Sequence, residues 1–286
     1  MNTTSIRNLI YVFFLLMFFK SSTNAQDVLV RDNPWGFYSI QWTYESGLDN
    51  VQRIDVPITI HEDVPDEYRL FVQIAQGLTT DDKAFYGGIQ TNLMDKGNGA
   101  VFSRWAQNDG KSNAEKLSIS DVSDYQFYEI DDYEGSFCSV RRKYPFDKGS
   151  YTMSFIKNGT WISYEVNGVL IGKINFKEEH WSLEPDLIAF LEIYGGGNNN
   201  DSNIESNEIP YINITFGRPV ISMANNIRIK PNQAYTNDYG RNESNGKFAN
   251  ITTSLKSKDG INVIADWNKL KYSTKEAAEW IQFETE

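Results

Sequence analysis

Glu129, Asp131 and Glu134 fall within the six residues Glu129-Ile130-Asp131-Asp132-Tyr133-Glu134. Two carboxyl groups held about 5–5.5 Å apart can cleave a glycosidic bond with retention, one attacking while the other exchanges a proton. On a strand Glu129 and Asp131 share a face, and Glu134 joins them only through a bulge. In an acidic chain three carboxylates within six residues arise readily, and the run reads first as a solvated strand end or a Ca²⁺-binding loop. Apart from that Ca²⁺, nothing in the sequence asks for a cofactor.

Other chemistry has less to work with. The two histidines, His61 and His180, adjoin no nucleophile motif, and Gly-x-Ser-x-Gly is absent. Glu178-Glu179-His180-Trp181 offers one imidazole and no second histidine or cysteine, so no metal site is expected. Gly195-Gly196-Gly197 leads into an Asn-rich loop rather than a helix, which removes a phosphate cradle. The single cysteine, Cys138, sits in the strand-like run Ser136 to Val140 and reads as a buried, inert thiol. For binding, Trp105, Trp161 and Trp181 are the candidates. Indole faces stack on sugar C–H faces while Asn, Asp and Gln orient the hydroxyls. Each tryptophan has core packing as its alternative, and a glycan on Asn158 lying over Trp161 is a rival use of that ring.

These residues need a scaffold, and the sequence points to strands. Tyr38, Ile40, Trp42 and Tyr44 alternate along a first strand, and Ile54, Val56, Ile58 and Ile60 along a second, where Pro57 marks an edge or bulge. Further strands are expected over Leu70 to Ile74, Phe85 to Asn92, Val101 to Trp105, Tyr125 to Ile130, Ile188 to Tyr194 and Ile261 to Trp267. Gly87-Gly88 marks a place where something packs close to the backbone. Asn158-Gly159 and Asn167-Gly168 predict two tight type I′ hairpins joining residues 151–175 into a meander. That register pairs Phe155 with Ile162, Met153 with Tyr164 and Tyr151 with Val166 on a core face. The opposite face is polar except for Ile156, Trp161 and Ile174. Lys275 to Trp280 is the one stretch that suggests a short helix.

The 286 residues include 16 Tyr, 17 Phe and 7 Trp, a richness that suits β-sandwich cores and stacking surfaces. Arg7, the apolar run Leu9 to Phe19 and Thr23-Asn24-Ala25 read as a signal peptide ending at residue 25. Eleven apolar residues span only about half of a roughly 30 Å hydrocarbon core. Without Arg7 and Lys20 the net charge moves from −11 to −13. An acidic surface with no basic stripe excludes nucleic acid and anionic membranes as partners. Sequons at Asn158, Asn200, Asn213, Asn242 and Asn250 agree with export. One odd cysteine leaves stability to burial rather than disulfides.

A set of landmarks carries a resemblance. They are Phe85-Tyr86-Gly87-Gly88-Ile89-Gln90, Phe102-Ser103-Arg104-Trp105, Glu134-Gly135, Tyr144-Pro145-Phe146-Asp147-Lys148-Gly149-Ser150-Tyr151 and Phe190-Leu191-Glu192. In this order and spacing they resemble a functionally uncharacterised family of extracellular concanavalin-like β-sandwich domains. The resemblance spans Trp35 to Phe216, with Phe146 where the family often has Trp, and implies no assigned activity. Separately, Glu-x-Asp-x-x-Glu resembles the catalytic strand of a family of jelly-roll endoglucanases. That likeness implies Glu129 as nucleophile, Glu134 as acid/base and Asp131 tuning both, although Asp132 and Tyr133 replace apolar residues usual there.

The expectation is therefore an all-β, antiparallel jelly-roll-like β-sandwich over residues 26–222. Residues 223–286 form a β-rich extension that completes the sandwich or stands beside it. The expected function is a secreted module that binds glycans or extracellular proteins. A glycoside hydrolase and a structural glycoprotein are the alternatives.

Overall fold

The computed structural model describes residues 38–44, 48–64, 68–80, 84–93, 97–105, 125–130, 136–176, 181–196, 211–238, 241–242, 248–250, 252–266, 271–273 and 277–284. Period-two burial governs the first elements. Tyr38, Ile40 and Trp42 of β1 (Tyr38–Thr43) and Ile54, Val56, Ile58 and Ile60 of β2 (Val51–Ile60) are buried. Burial of each such side chain contributes roughly 1.5–3 kcal/mol. β3 (Tyr68–Thr79), β4 (Ala84–Gln90) and β5 (Gly99–Trp105) pair in succession, while β6 (Tyr125–Ile130) flanks β7 (Ser136–Lys143), which pairs with β5. β8 (Gly149–Asn158), β9 (Trp161–Val166) and β10 (Val169–Asn175) form the meander, and β11 (Leu183–Gly196) runs between β1 and β3.

The later strands extend both layers. β12 (Ile212–Gly217) and β13 (Val220–Met223) lie end to end along β2, with β14 (Arg228–Ile229) outside β13. β15 (Gln233–Asp238) pairs with β1. β16 (Arg241–Asn242) and β17 (Phe248–Asn250) belong to a small separate sheet. β18 (Thr252–Ser257) and β19 (Gly260–Ala265) form a hairpin on β12, β20 (Lys271–Ser273) completes the small sheet, and β21 (Ala277–Gln282) pairs with β15.

The result is a sandwich of two antiparallel sheets. One has nine strands in the order β21-β15-β1-β11-β3-β4-β5-β7-β6, and the other runs β18-β19-β12-β2-β8-β9-β10. A bridge between Leu183 and Val51 links them. Phe85 and Phe102 of the first sheet meet Phe155 and Tyr164 of the second, with ring centroids 5.1–6.0 Å apart. Gly87 lets the layers approach there. A Cβ on it would stand 2.8 Å from Phe155 and 2.9 Å from Tyr164, so the Gly87-Gly88 expectation of close packing holds.

Both Asn-Gly steps are hairpins, but only one has the expected turn. Asn167 and Gly168 both take positive φ, as type I′ requires. At the first turn only Gly159 does, so Gly159-Thr160 form a type II′ loop between the paired residues Asn158 and Trp161. The register therefore slips by two from the expected one, pairing Phe155 with Tyr164 and Met153 with Val166. A two-residue slip preserves the face, so the core assignment of these side chains survives, with Tyr151 only half-buried at the rim. A bulge between Leu170 and Gly172 then turns Ile174 into the core, opposite Ile162, and removes it from the cluster expected around Trp161.

Two other expectations fail for identifiable reasons. Pro57 lies in an inner strand, but the neighbouring chain breaks between β12 and β13 opposite it, with Gly217 against the Pro57 ring. The proline sits where ladder pairing on that side lapses. Of the stretch Lys275 to Trp280, the described residues 277–280 are strand rather than helix: they lie in β21, whose ladder with β15 overrides local helix propensity.

Candidate functional site

Cross-strand pairing lines up one row of residues over the whole nine-stranded sheet. From one edge it reads Trp280, Tyr235, Gln41, Ile188, Gln76, Tyr86, Ser103, Ser139 and Phe127. The adjacent row contains Trp42, Leu187, Phe85 and Cys138, all buried in the core. Alternation therefore sends Trp280, Tyr235, Gln41, Ile188, Tyr86, Ser103 and Ser139 of the first row to the outer side of the sheet.

That row carries aromatic pairs at two places, with Gln41 and Ile188 between them, and Phe190, two residues along β11 from Ile188, is partly exposed on the same face. Tyr235 and Trp280 lie 5.2 Å apart, and Trp280 is 58 % exposed. Tyr86 and Trp105 lie 4.5 Å apart, both partly exposed. With strands about 4.8 Å apart, four steps separate Tyr235 from Tyr86, or about 19 Å along the sheet. Beyond Tyr86 the row is small, polar and closed to solvent at Ser103 and Ser139. Ser103 Oγ donates to Ser139 Oγ at 2.9 Å, and Arg141 Nε donates to Ser139 Oγ at 3.3 Å. The serines are fully buried, while Arg141 is partly exposed beside them. The arrangement offers two stacking platforms with Gln41 and Ile188, both partly exposed, on the path between them.

No protein-family model and no curated protein matches this chain. Among solved structures, it is similar to scytalido-glutamic peptidase with a transition state analog inhibitor, at 12 % identity and a TM-score of 0.41, covering 81 % of this chain and 98 % of that one. A second structure of scytalido-glutamic peptidase, with a peptide-based transition state analog, matches at 11 % identity and a TM-score of 0.40, covering 82 % and 98 %. At that overlap no residue role passes from those enzymes to this chain.

The three tryptophans separate cleanly. Trp105 belongs to the outer face just described. Trp181 does not reach a surface site: it is 3 % exposed, packs against Phe176 at 5.4 Å and lies under the Lys157 ammonium at 4.9 Å. Its role is core packing. Trp161 is partly exposed on the outer face of the second sheet, where Asn158, Trp161, Ser163 and Lys173 line an open hollow of about 340 Å³.

Of the acidic run, Glu129 lies on β6 opposite Phe137, which is itself opposite Trp105. The register thus puts Glu129 in the row of Trp105. Asp131 and Glu134 lie outside the described residues, as do His180 and Asn200. Cys138 is buried, and burial first of all pushes its thiol up to about 12, against a smaller opposing pull from the Arg104 cation. Among the described residues no three His, Cys, Asp or Glu side chains gather as a metal site. Of the sequons, Asn158 is exposed at its turn. Asn213 is partly exposed between buried Ile212 and Ile214, its Oδ1 accepting from Asn262 Nδ2 at 2.9 Å. Asn242 and Asn250 fall in the small third sheet.

Sequence reasoning missed Tyr86, Tyr235, Trp280 and Gln41 as site residues. Each sits at an odd step from buried neighbours on its strand, a signal present in the alternation. Trp280 was hidden because its strand reads locally as a helix.

Proposed function

We propose that this chain is a secreted, N-glycosylated, non-enzymatic module that binds carbohydrate along the outer face of its nine-stranded sheet. The observation that carries this reading is the single cross-strand row with an aromatic pair at Tyr235–Trp280 and another at Tyr86–Trp105. Aromatic rings in pairs present flat apolar faces to sugar C–H groups, and Gln41 and Arg141 supply donors for hydroxyls. The Leu9 to Phe19 run and the likeness to extracellular sandwich domains support export.

A glycan array with the wild-type chain and the Trp280→Ala and Trp105→Ala variants tests the reading. Binding of a defined glycan class that falls at least about tenfold in each variant supports it, in line with the loss of one buried aromatic contact. Absence of binding, or binding indifferent to both substitutions, removes it.

One observation favours a hydrolytic version of the same site: the row that joins Glu129 through Phe137 to Trp105. In that version Glu129 and Glu134 form the carboxylate pair on the glycan bound beside Trp105. Release of reducing ends from β-glucans, abolished by Glu134→Gln, would favour it over simple binding.

A further inference from the structure

The hollow on the outer face of the second sheet is lined by the first residue of a sequon and by the tryptophan paired with it. Asn158 and Trp161 are the paired residues that close the type II′ loop, so their Cβ atoms stand about 5 Å apart on one face of the sheet. Asn158 opens the sequon Asn158-Gly159-Thr160, and its side chain is exposed. Trp161 is partly exposed beside it, followed across the ladder by Ser163 and Lys173. The bulge in β10 removes Ile174 from this face and leaves Asn175 and Lys173 there instead. An indole half-open to water next to polar side chains is a poor core element but a good floor for a sugar ring.

We propose that an N-linked glycan on Asn158 folds back onto Trp161, its first sugar filling the hollow lined by Asn158, Trp161, Ser163 and Lys173. The sugar's apolar face covers the indole, and its polar rim reaches the Lys173 ammonium and the Ser163 hydroxyl. The type II′ turn is what makes this possible. Gly159 alone carries the positive φ, so Asn158 stays in extended backbone and keeps its side chain on the same face as Trp161. In the expected type I′ register Asn158 would itself be a loop residue with positive φ. The glycan then belongs to the hairpin as a packing element, and Trp161 is a docking surface for the chain's own modification rather than for an external ligand.

The test uses the full chain produced in a eukaryotic host that N-glycosylates. Peptide mass spectrometry reads occupancy at Asn158, and thermal unfolding compares Asn158→Gln and Thr160→Ala, both of which abolish the sequon, in Trp161 and Trp161→Ala backgrounds. Expected are occupancy at Asn158, a Tm loss of about 2–5 °C for either sequon variant with Trp161 present, and a loss near zero with Trp161→Ala. Trp161→Phe, which keeps an aromatic floor, should retain most of the effect. An unoccupied Asn158, or a Tm loss equal in the Trp161, Trp161→Phe and Trp161→Ala backgrounds, overturns the proposal.

Discussion

Replacing Gly87 with alanine probes the contact between the two sheets at its tightest point. In most strands this substitution stabilises a protein by about 0.4–1 kcal/mol, because it stiffens the unfolded chain. Here the new Cβ would lie 2.8 Å from Phe155 Cε1 and 2.9 Å from Tyr164 Cε2. Neither ring can step aside: both are buried, they stack on each other at 5.1 Å, and Phe102 lies 5.7 Å from Tyr164 and 6.0 Å from Phe155. Forcing a methyl into such a core costs about 1–3 kcal/mol, which exceeds the entropic gain. The net expectation is a loss of about 1–2 kcal/mol, read as a lower urea midpoint at unchanged slope, and a Tm lower by roughly 2–8 °C. Gly172→Ala, whose Cβ would meet Val140 Cγ2 at 2.4 Å, should behave the same way between β10 and β7. A neutral or stabilising Gly87→Ala would mean that the sheets are not apposed as described, and the reasoning would fall.

Further outcomes follow from the same structure. Arg218 is buried, donates from Nε to Asp259 Oδ1 at 2.9 Å and from Nη1 to the Glu284 carbonyl at 3.3 Å, and lies over Phe283 at 5.3 Å. Arg218→Ala should cost about 2–3 kcal/mol in chemical denaturation, from lost hydrogen bonds and packing together. Burial alone would raise the Asp259 carboxyl, but hydrogen bonds from Arg218 and Lys230 outweigh it and hold the group below its ordinary range. The resulting stabilisation is present at neutral pH and is lost as pH falls through that lowered value, so Asp259→Asn should flatten part of the acid limb of a stability–pH curve. The Tyr164 hydroxyl is buried without a hydrogen-bond partner, and burial, then the nearby Tyr144, raises it well above 10. Folding therefore holds that proton more tightly, stability falls as pH rises past about 10, and Tyr164→Phe should both relieve that fall and add up to about 1 kcal/mol at pH 7. Cys138 should stay inert to a thiol reagent until the chain unfolds, since its thiol is both buried and raised to about 12.

The inner faces of β1, β2, β8 and β9 were legible because alternation there is strict and Asn-Gly marks the reversals. What the sequence could not set was the choice between two turn types that differ by a two-residue slip. Both registers bury Met153, Phe155, Ile162 and Tyr164, so the binary pattern is blind to the difference. The bulge at Leu170 to Gly172 is equally silent, and it decides which face Ile174 joins. The candidate site was less legible than the core. Its row draws one residue from each of nine strands spread from β1 to β21, and only the pairing order brings Tyr86, Gln41, Tyr235 and Trp280 into line. The sequence offers no way to separate Trp181 from Trp105 and Trp161, because its burial comes from Phe176 and Lys157, which the fold brings to it.

The claim that the outer face binds an extended glycan is tested most directly by titrating the chain with oligosaccharides of increasing length from whichever glycan class it recognises. If Tyr86–Trp105 and Tyr235–Trp280 act as two ends of one platform, affinity rises with length until the ligand spans about 19 Å of sheet and then levels off. In Trp280→Ala the gain from the longer ligands disappears while binding of the shortest is kept. Affinity that is independent of length, or a length dependence untouched by Trp280→Ala, would contradict the two-ended face.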